Sequence, residues 1–316
     1  IDQLPHSEAL ILAQALAGPS SSGEHRRLQR LVEEARGHPL FIQELVRHTL
    51  SHGTEEPPRL DDTIWARIGE LAEPAQRLLR LCAVMGSPLP VDVATQASSL
   101  LPEEVERALI QLRAANLLRA SLSGHEPDSG ARDIRAVEPY HDRIRELVSE
   151  RLPPEGRQEC HQRLAQALEK TKSTDPEALT YHFSSAGETD KAGPYALQAG
   201  DKAATTLAFE RAARFYGQAL EWLRLEDAQR RDLLIKRANA LANAGHEYQA
   251  SKWLIQAAET AEPEVASDLR RRASDQLLRS GHHREGVRLL REAFQNLGLR
   301  LFSSAWGAIF SMIGYR

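Results

Sequence analysis

The feature that most restricts this chain's fold is a pair of small residues, seven positions apart, that returns four times in its second half. Ala192 and Ala199, Ala212 and Ala219, Ala250 and Ala257, and Gly286 and Ala293 each lie about two helical turns apart on one face. Small residues there let a neighbouring helix approach closely, so the pattern asks for packed pairs of helices. Gly187, Gly245 and Gly281 precede three of these helices and supply the turns before them. Tyr216, Leu254 and Leu290 fill a matching slot for a large side chain. Everything beyond Pro153 reads this way. Ala, Leu, Glu, Gln and Arg dominate the chain, and long Val/Ile/Thr alternations are nearly absent, so sheet is not the main architecture.

The first half is helical with one interruption. Ser7 is placed to cap a helix over 7–17, and residues 18–23 break it. Leu28, Leu31, Val32 and Ala35 mark a second helix that Gly37 and Pro39 stop. A third, over 40–50, turns Phe41, Leu45 and Val46 inward, and 51–58 is a linker. Ile64, Ile68 and Leu71 then mark one helix, and Pro74 starts another through Leu78, Leu79, Leu81 and Cys82. Pro88-Leu89-Pro90 reads as a turn before a short helix over 91–97. Pro102 suits the first turn of the next helix, with Val105, Leu109 and Leu112 inward. Residues 116–119 and 134–137 are extended candidates on either side of a polar stretch. Three helices followed by a hairpin form the outline of a winged helix. A helix over 141–152 leads out of it.

Charge and cysteine content exclude several functions. A formal net charge of -4 gives no chain-wide basic field for nucleic acid. The would-be recognition helix carries Glu103, Glu104 and Glu106 against Arg107 and Arg113, which argues against a DNA-binding regulator, the principal alternative reading. Cys82 and Cys160 read as buried free thiols of a reducing, cytoplasmic compartment. No basic segment precedes an apolar core at the start, and the missing initiator Met suggests a piece of something longer. Residues 301–315 are uncharged but fall short of the roughly 17 apolar residues a membrane span needs. A capping helix is expected there, with interfacial membrane contact as the alternative. His282-His283 beside Glu285 reads as a solvated turn rather than a metal site. Arg270-Arg271-Arg272, interleaved with Asp268 and Asp275, reads as a solvated helix face. No grouping has a nucleophile's context, so neither catalytic nor metal residues are expected.

Two segments carry a family resemblance. Gly37-His38-Pro39-Leu40-Phe41-Ile42-Gln43-Glu44-Leu45 resembles the Gly-x-Pro stretch in the lid of STAND-type (AAA-related) signal-transduction ATPases. Tyr140-His141-Asp142-Arg143-Ile144-Arg145-Glu146-Leu147, through Glu150-Arg151-Leu152-Pro153, resembles the segment closing their winged helix. The resemblance implies a mostly α chain: a helical lid over 1–56, a winged helix with a small hairpin over 57–152, and tetratricopeptide-like repeats over 153–300. An apolar segment over 301–316 completes it. Gly245 and Gly281 lie 36 apart, near the tetratricopeptide period of about 34. In bacterial members the ATPase is often fused behind a serine/threonine kinase or a cyclase, so this chain could also be part of such an enzyme whose catalytic domain lies elsewhere.

The resemblance further implies nucleotide contacts. The family's proline packs near adenine, which carries over to Pro39, with Gly37 permitting close approach. A winged-helix histidine touches the diphosphate, which carries over to His141. Helix-start roles for Pro39 and for His141 with Asp142 remain the alternatives. The family's engine is missing, however. A phosphate-cradling loop needs Gly-Lys, and no Gly-Lys pair occurs anywhere; Gly200-Asp201-Lys202 sits among repeat helices. The expectation is therefore a non-enzymatic chain without a cofactor of its own. ATP or ADP with magnesium would belong to the longer protein. The repeats would hold a protein partner or the protein's own catalytic domain.

Overall fold

The computed structural model describes residues 3–18, 22–52, 59–121, 135–171 and 175–296. Their contacts divide the chain into two compact units, Ile1–Ala167 and Leu168–Arg316. The first unit opens with α1 (His6–Ala17), α2 (Ser22–Glu34) and α3 (Pro39–His52), each packed on the others. Ala9, Ala13, Leu31, Val32, Ile42, Leu45 and Val46 are buried. Two expectations need correcting here. Pro5 stands at the start of α1 without a side-chain cap, so Ser7 lies inside the first turn. α3 also runs on to His52, into the expected linker, because nothing in Ser51-His52 breaks a helix; residues 53–58 lie outside the described set.

α4 (Leu60–Gly69), α5 (Glu73–Met85), α6 (Val91–Ser98), α7 (Pro102–Ala114) and α8 (Asp142–Arg151) follow, with β1 (Leu89–Pro90), β2 (Leu118–Ser121) and β3 (Ala136–Pro139). The sheet is antiparallel in the order β1-β3-β2, with Leu89 and Ala120 both opposite Val137. The expected turn at Leu89-Pro90 is thus an edge strand, a place where proline costs no ladder bond. The hairpin strands β2 and β3 overlap the extended candidates, each displaced two residues toward the C-terminus. α7 ends on Asn116 at φ 53, and the Leu117 amide reaches back to the Leu112 carbonyl at 2.9 Å, which swings the chain into β2. Buried Glu44 on α3 accepts from Arg47 and from Arg67 of α4, tying the first three helices to the next group. α9 (Pro154–Glu169) spans the boundary between the units.

The second unit is a run of antiparallel neighbours: α10 (Pro176–Ser185), α11 (Thr189–Thr205), α12 (Phe209–Trp222), α13 (Asp227–Asn243), α14 (Glu247–Glu259), α15 (Pro263–Arg279) and α16 (His283–Asn296). Each packs chiefly on the next. The small residues singled out above lie at the crossings: Ala192, Ala199, Ala212, Ala219, Ala250 and Ala257 are all fully buried. Gly200 of α11 shows how close the approach is, since a Cβ there would come within 2.6 Å of the Tyr216 ring. Four turns repeat one geometry. Gly187, Leu207, Gly245 and Gly281 have positive φ, and the following amide bonds back to a carbonyl five residues earlier, for example Ala208 to Ala203 at 2.8 Å. This is the Schellman arrangement, and a buried Ala or a Gly follows five residues later each time. Turn side chains link successive hairpins: His246 stands 3.5 Å from Glu210, and His282 stacks on Tyr248 at 4.1 Å.

Sixteen helices and one three-stranded sheet among the described residues make the chain mostly α, with helical hairpins in series. No described helix is long and apolar enough to cross a membrane. The capping helix expected over 301–316 lies outside the described residues.

Candidate functional site

The first unit holds a cleft of about 490 Å³ between the starts of α3 and α8 and the end of α2. Its shape follows from local chain geometry. Gly37 has φ 72, and a Cβ on it would fall 2.5 Å from the Leu4 carbonyl oxygen. Only glycine lets the segment before α1 pass this closely, and the Leu4 amide donates to the Gly37 carbonyl at 2.9 Å. The next residue, His38, is only 9% exposed and turns into the cleft.

There His38 meets Phe41, one turn on, at 4.5 Å between ring centroids, and His141 at 4.7 Å in a near-perpendicular contact. Phe41 and His141 are 4.9 Å apart, so three rings form one cluster across α3 and α8. His141 caps α8: its Nδ1 accepts the Arg143 amide at 3.0 Å. That bond places the ring proton on Nε2, leaving one N–H donor. Burial, with His141 adding to it, holds the His38 imidazole below its ordinary pKa, and its Nδ1 is buried without a partner. Arg143 forks onto Asp61 of α4, Nε to Oδ1 at 2.9 Å and Nη2 to Oδ2; this bonding raises the guanidinium's pKa.

The cleft's charge is lopsided. Glu33, Glu34, Asp61, Asp142 and Glu146 line it against Arg36 and Arg143. Much of this charge is engaged: Glu34 accepts the Leu60 amide at 3.1 Å, Asp142 pairs with Arg145 at 3.1 Å, and Arg143 is taken by Asp61. Among the described lining residues, the exposed Arg36 is the cation left for an anion, beside the neutral donors of the His141 Nε2–H, the His38 ring and the Gln3 amide. One free cation with a few neutral donors can touch a phosphate but does not match a triphosphate, whose charge calls for several cationic donors and a metal.

Of the three residues picked from sequence, His141 lines the cleft. Pro39 begins α3 and Gly37 faces Leu4; neither is among the lining residues. Sequence reasoning missed His38 and the Asp61–Arg143 fork. His38 stood inside the quoted motif, between Gly37 and Pro39, which is the signal that could have found it. The two suspected surface constellations in the second unit resolve as solvated structure: Arg271 pairs with Asp268 and Arg272 bonds Asn239, while His282 stacks on Tyr248.

No protein-family model matches this sequence, and no curated protein matches it. A solved structure shares the fold. It is a Signal Transduction ATPase with Numerous Domains (STAND) protein with a tetratricopeptide repeat sensor, from Pyrococcus horikoshii. The TM-score is 0.51 at 15% identity, over 94% of this chain and 41% of that one. The likeness at this identity is one of fold, and the chain spans about two fifths of that protein's length.

Proposed function

We propose that this chain is the regulatory, protein-binding region of a larger STAND-type signalling ATPase. The first three helices are its lid, α4 to α8 its winged helix, and the hairpins of the second unit its sensor. The supporting observation is the shared fold over 94% of the chain with a STAND protein that carries a tetratricopeptide sensor. Two features of the chain agree with it. No Gly-Lys pair is present to cradle phosphates, and among the described residues lining the cleft Arg36 and Arg143 are the cations, the latter taken by Asp61. In this reading the chain is not itself an enzyme and carries no cofactor. Nucleotide and magnesium are held by a phosphate-loop domain elsewhere in the longer protein, and His141 contributes a side contact across the cleft. Bacterial origin, a cytoplasmic setting and fusion to a serine/threonine kinase are the family associations that fit the two motifs.

Removing residues 175–296 from the longer protein tests the proposal. Basal ATP hydrolysis should change several-fold, since a sensor that restrains or completes the ATPase no longer does so. Hydrolysis unchanged by the deletion, with and without partner proteins, would refute a regulatory role.

A further inference from the structure

Arg237 occupies a built slot in the second unit that nothing in the lid or winged-helix reading uses. It projects from α13 between its two neighbours. Its Cζ lies 4.0 Å from the centroid of the Trp253 ring of α14. Toward α12 it faces Gly217, where a Cβ would come within 2.9 Å of Cζ and 3.0 Å of Nη2. Glycine inside a helix is less favourable than any residue but proline, and here its missing side chain is the space the guanidinium fills. The Nε is buried and has no hydrogen-bond partner. Among the described residues, no hydrogen bond or ion pair engages Nη1 or Nη2 either. Neighbouring cations differ: Lys236 is held by Asp201, Arg231 by the Thr260 carbonyl and Arg272 by Asn239. Residues of this unit outside the described set, 172–174 and 297–316, contain no Asp or Glu, so their side chains cannot supply a counter-ion.

A half-buried cation without an acid is costly, and burial does lower the Arg237 pKa from its ordinary value, although a guanidinium stays charged at neutral pH. Stacking on an indole recovers part of that cost and fixes the plane of the fork in advance. What such a fork matches is a planar anion approaching Nη1 and Nη2 end-on. Arg231 and Arg272 bond neutral oxygens and Lys236 is paired with Asp201, so the hydrogen-bonding capacity left open is this one fork, which matches the two oxygens of a single carboxylate.

We propose that the Arg237 guanidinium, seated between Gly217 and Trp253, is the docking point for a single carboxylate of an acidic partner peptide. The proposal rests on the protein-binding reading of the hairpins and names the chemistry they recognise. Nuclear magnetic resonance of the full chain tests it through the Arg237 Nε–H signal, identified by its loss in Arg237→Lys and displaced by the Trp253 ring current. The probes are a tetraglutamate peptide, acetylated and amidated at its ends, its tetraglutamine counterpart, and inorganic phosphate, all at matched ionic strength. The expected result is a saturable shift with the glutamate peptide and at least tenfold weaker binding of the glutamine peptide. Gly217→Ala keeps the arginine but crowds the slot, and should also weaken binding of the glutamate peptide at least tenfold. That comparison stands even if Arg237→Lys folds poorly. No saturable shift, equal response to both peptides, or tighter binding of phosphate would overturn the carboxylate site. If the site fails while deletion of 175–296 still alters hydrolysis in the longer protein, only the Arg237 assignment falls.

Discussion

Leu207 carries a cost that its three counterparts avoid. It takes the left-handed turn position that Gly187, Gly245 and Gly281 fill elsewhere, at φ 60, and its side chain is 73% exposed. A non-glycine residue there costs about 1–2 kcal/mol, and glycine returns roughly half of that through the freedom it gains when unfolded. Leu207→Gly should therefore stabilise the chain by about 0.5–1 kcal/mol, read as a rise in thermal midpoint. A fall would mean that the exposed leucine makes contacts the turn depends on. His161 of α9 gives a second residue-level expectation. Burial, with Arg157 adding to it, lowers its pKa to about 4 from 6.5. The unfolded chain thus takes up this proton first as pH falls, so the stability His161 contributes is intact above about pH 6.5 and drains away toward about pH 4. The loss should be on the order of 1–3 kcal/mol. Equilibrium unfolding at a series of pH values checks it: His161→Gln should flatten the slope in this window, and an unchanged slope would remove His161 from the account.

At the level of elements, the helix crossings of the second unit are the most specific commitment. Ala257 of α14 is fully buried with Ala250 on the same face. Ala257→Leu should overpack the crossing and cost about 1–3 kcal/mol. Coupling in such arrays runs mainly between neighbours, so amide exchange should quicken in α13 to α16 while α2 and α3 keep their protection. Uniform protection across the second unit would mean that the alanine is not at a tight crossing. These crossings were legible because the spacing of small residues is local to one helix. β1 was not: Leu89-Pro90 reads as a turn, and only pairing with residues Ala136 and Val137, far along the chain, makes it a strand. The Leu207 turn was hidden for a related reason, since glycine is the usual marker of that backbone. In the cleft, His141 was visible through its motif and His38 was not, because what gives His38 its setting is a ring from a distant helix.

For the whole molecule, we propose a regulatory scaffold, a reading in which nucleotide chemistry belongs to another part of a longer protein. Two compact units serve it. The first presents a cleft whose carboxylates outnumber its cations, and the second presents hairpins with a seated, unpaired arginine. The fold is shared with a STAND protein bearing a tetratricopeptide sensor, over 41% of that protein's length. Calorimetric titration of the 316-residue chain with magnesium-ATP tests the account most directly. It should show binding no tighter than roughly millimolar, worth about 4 kcal/mol, because one free cation and a few neutral donors can make only side contacts. A micromolar dissociation constant in the absence of any other domain would contradict it.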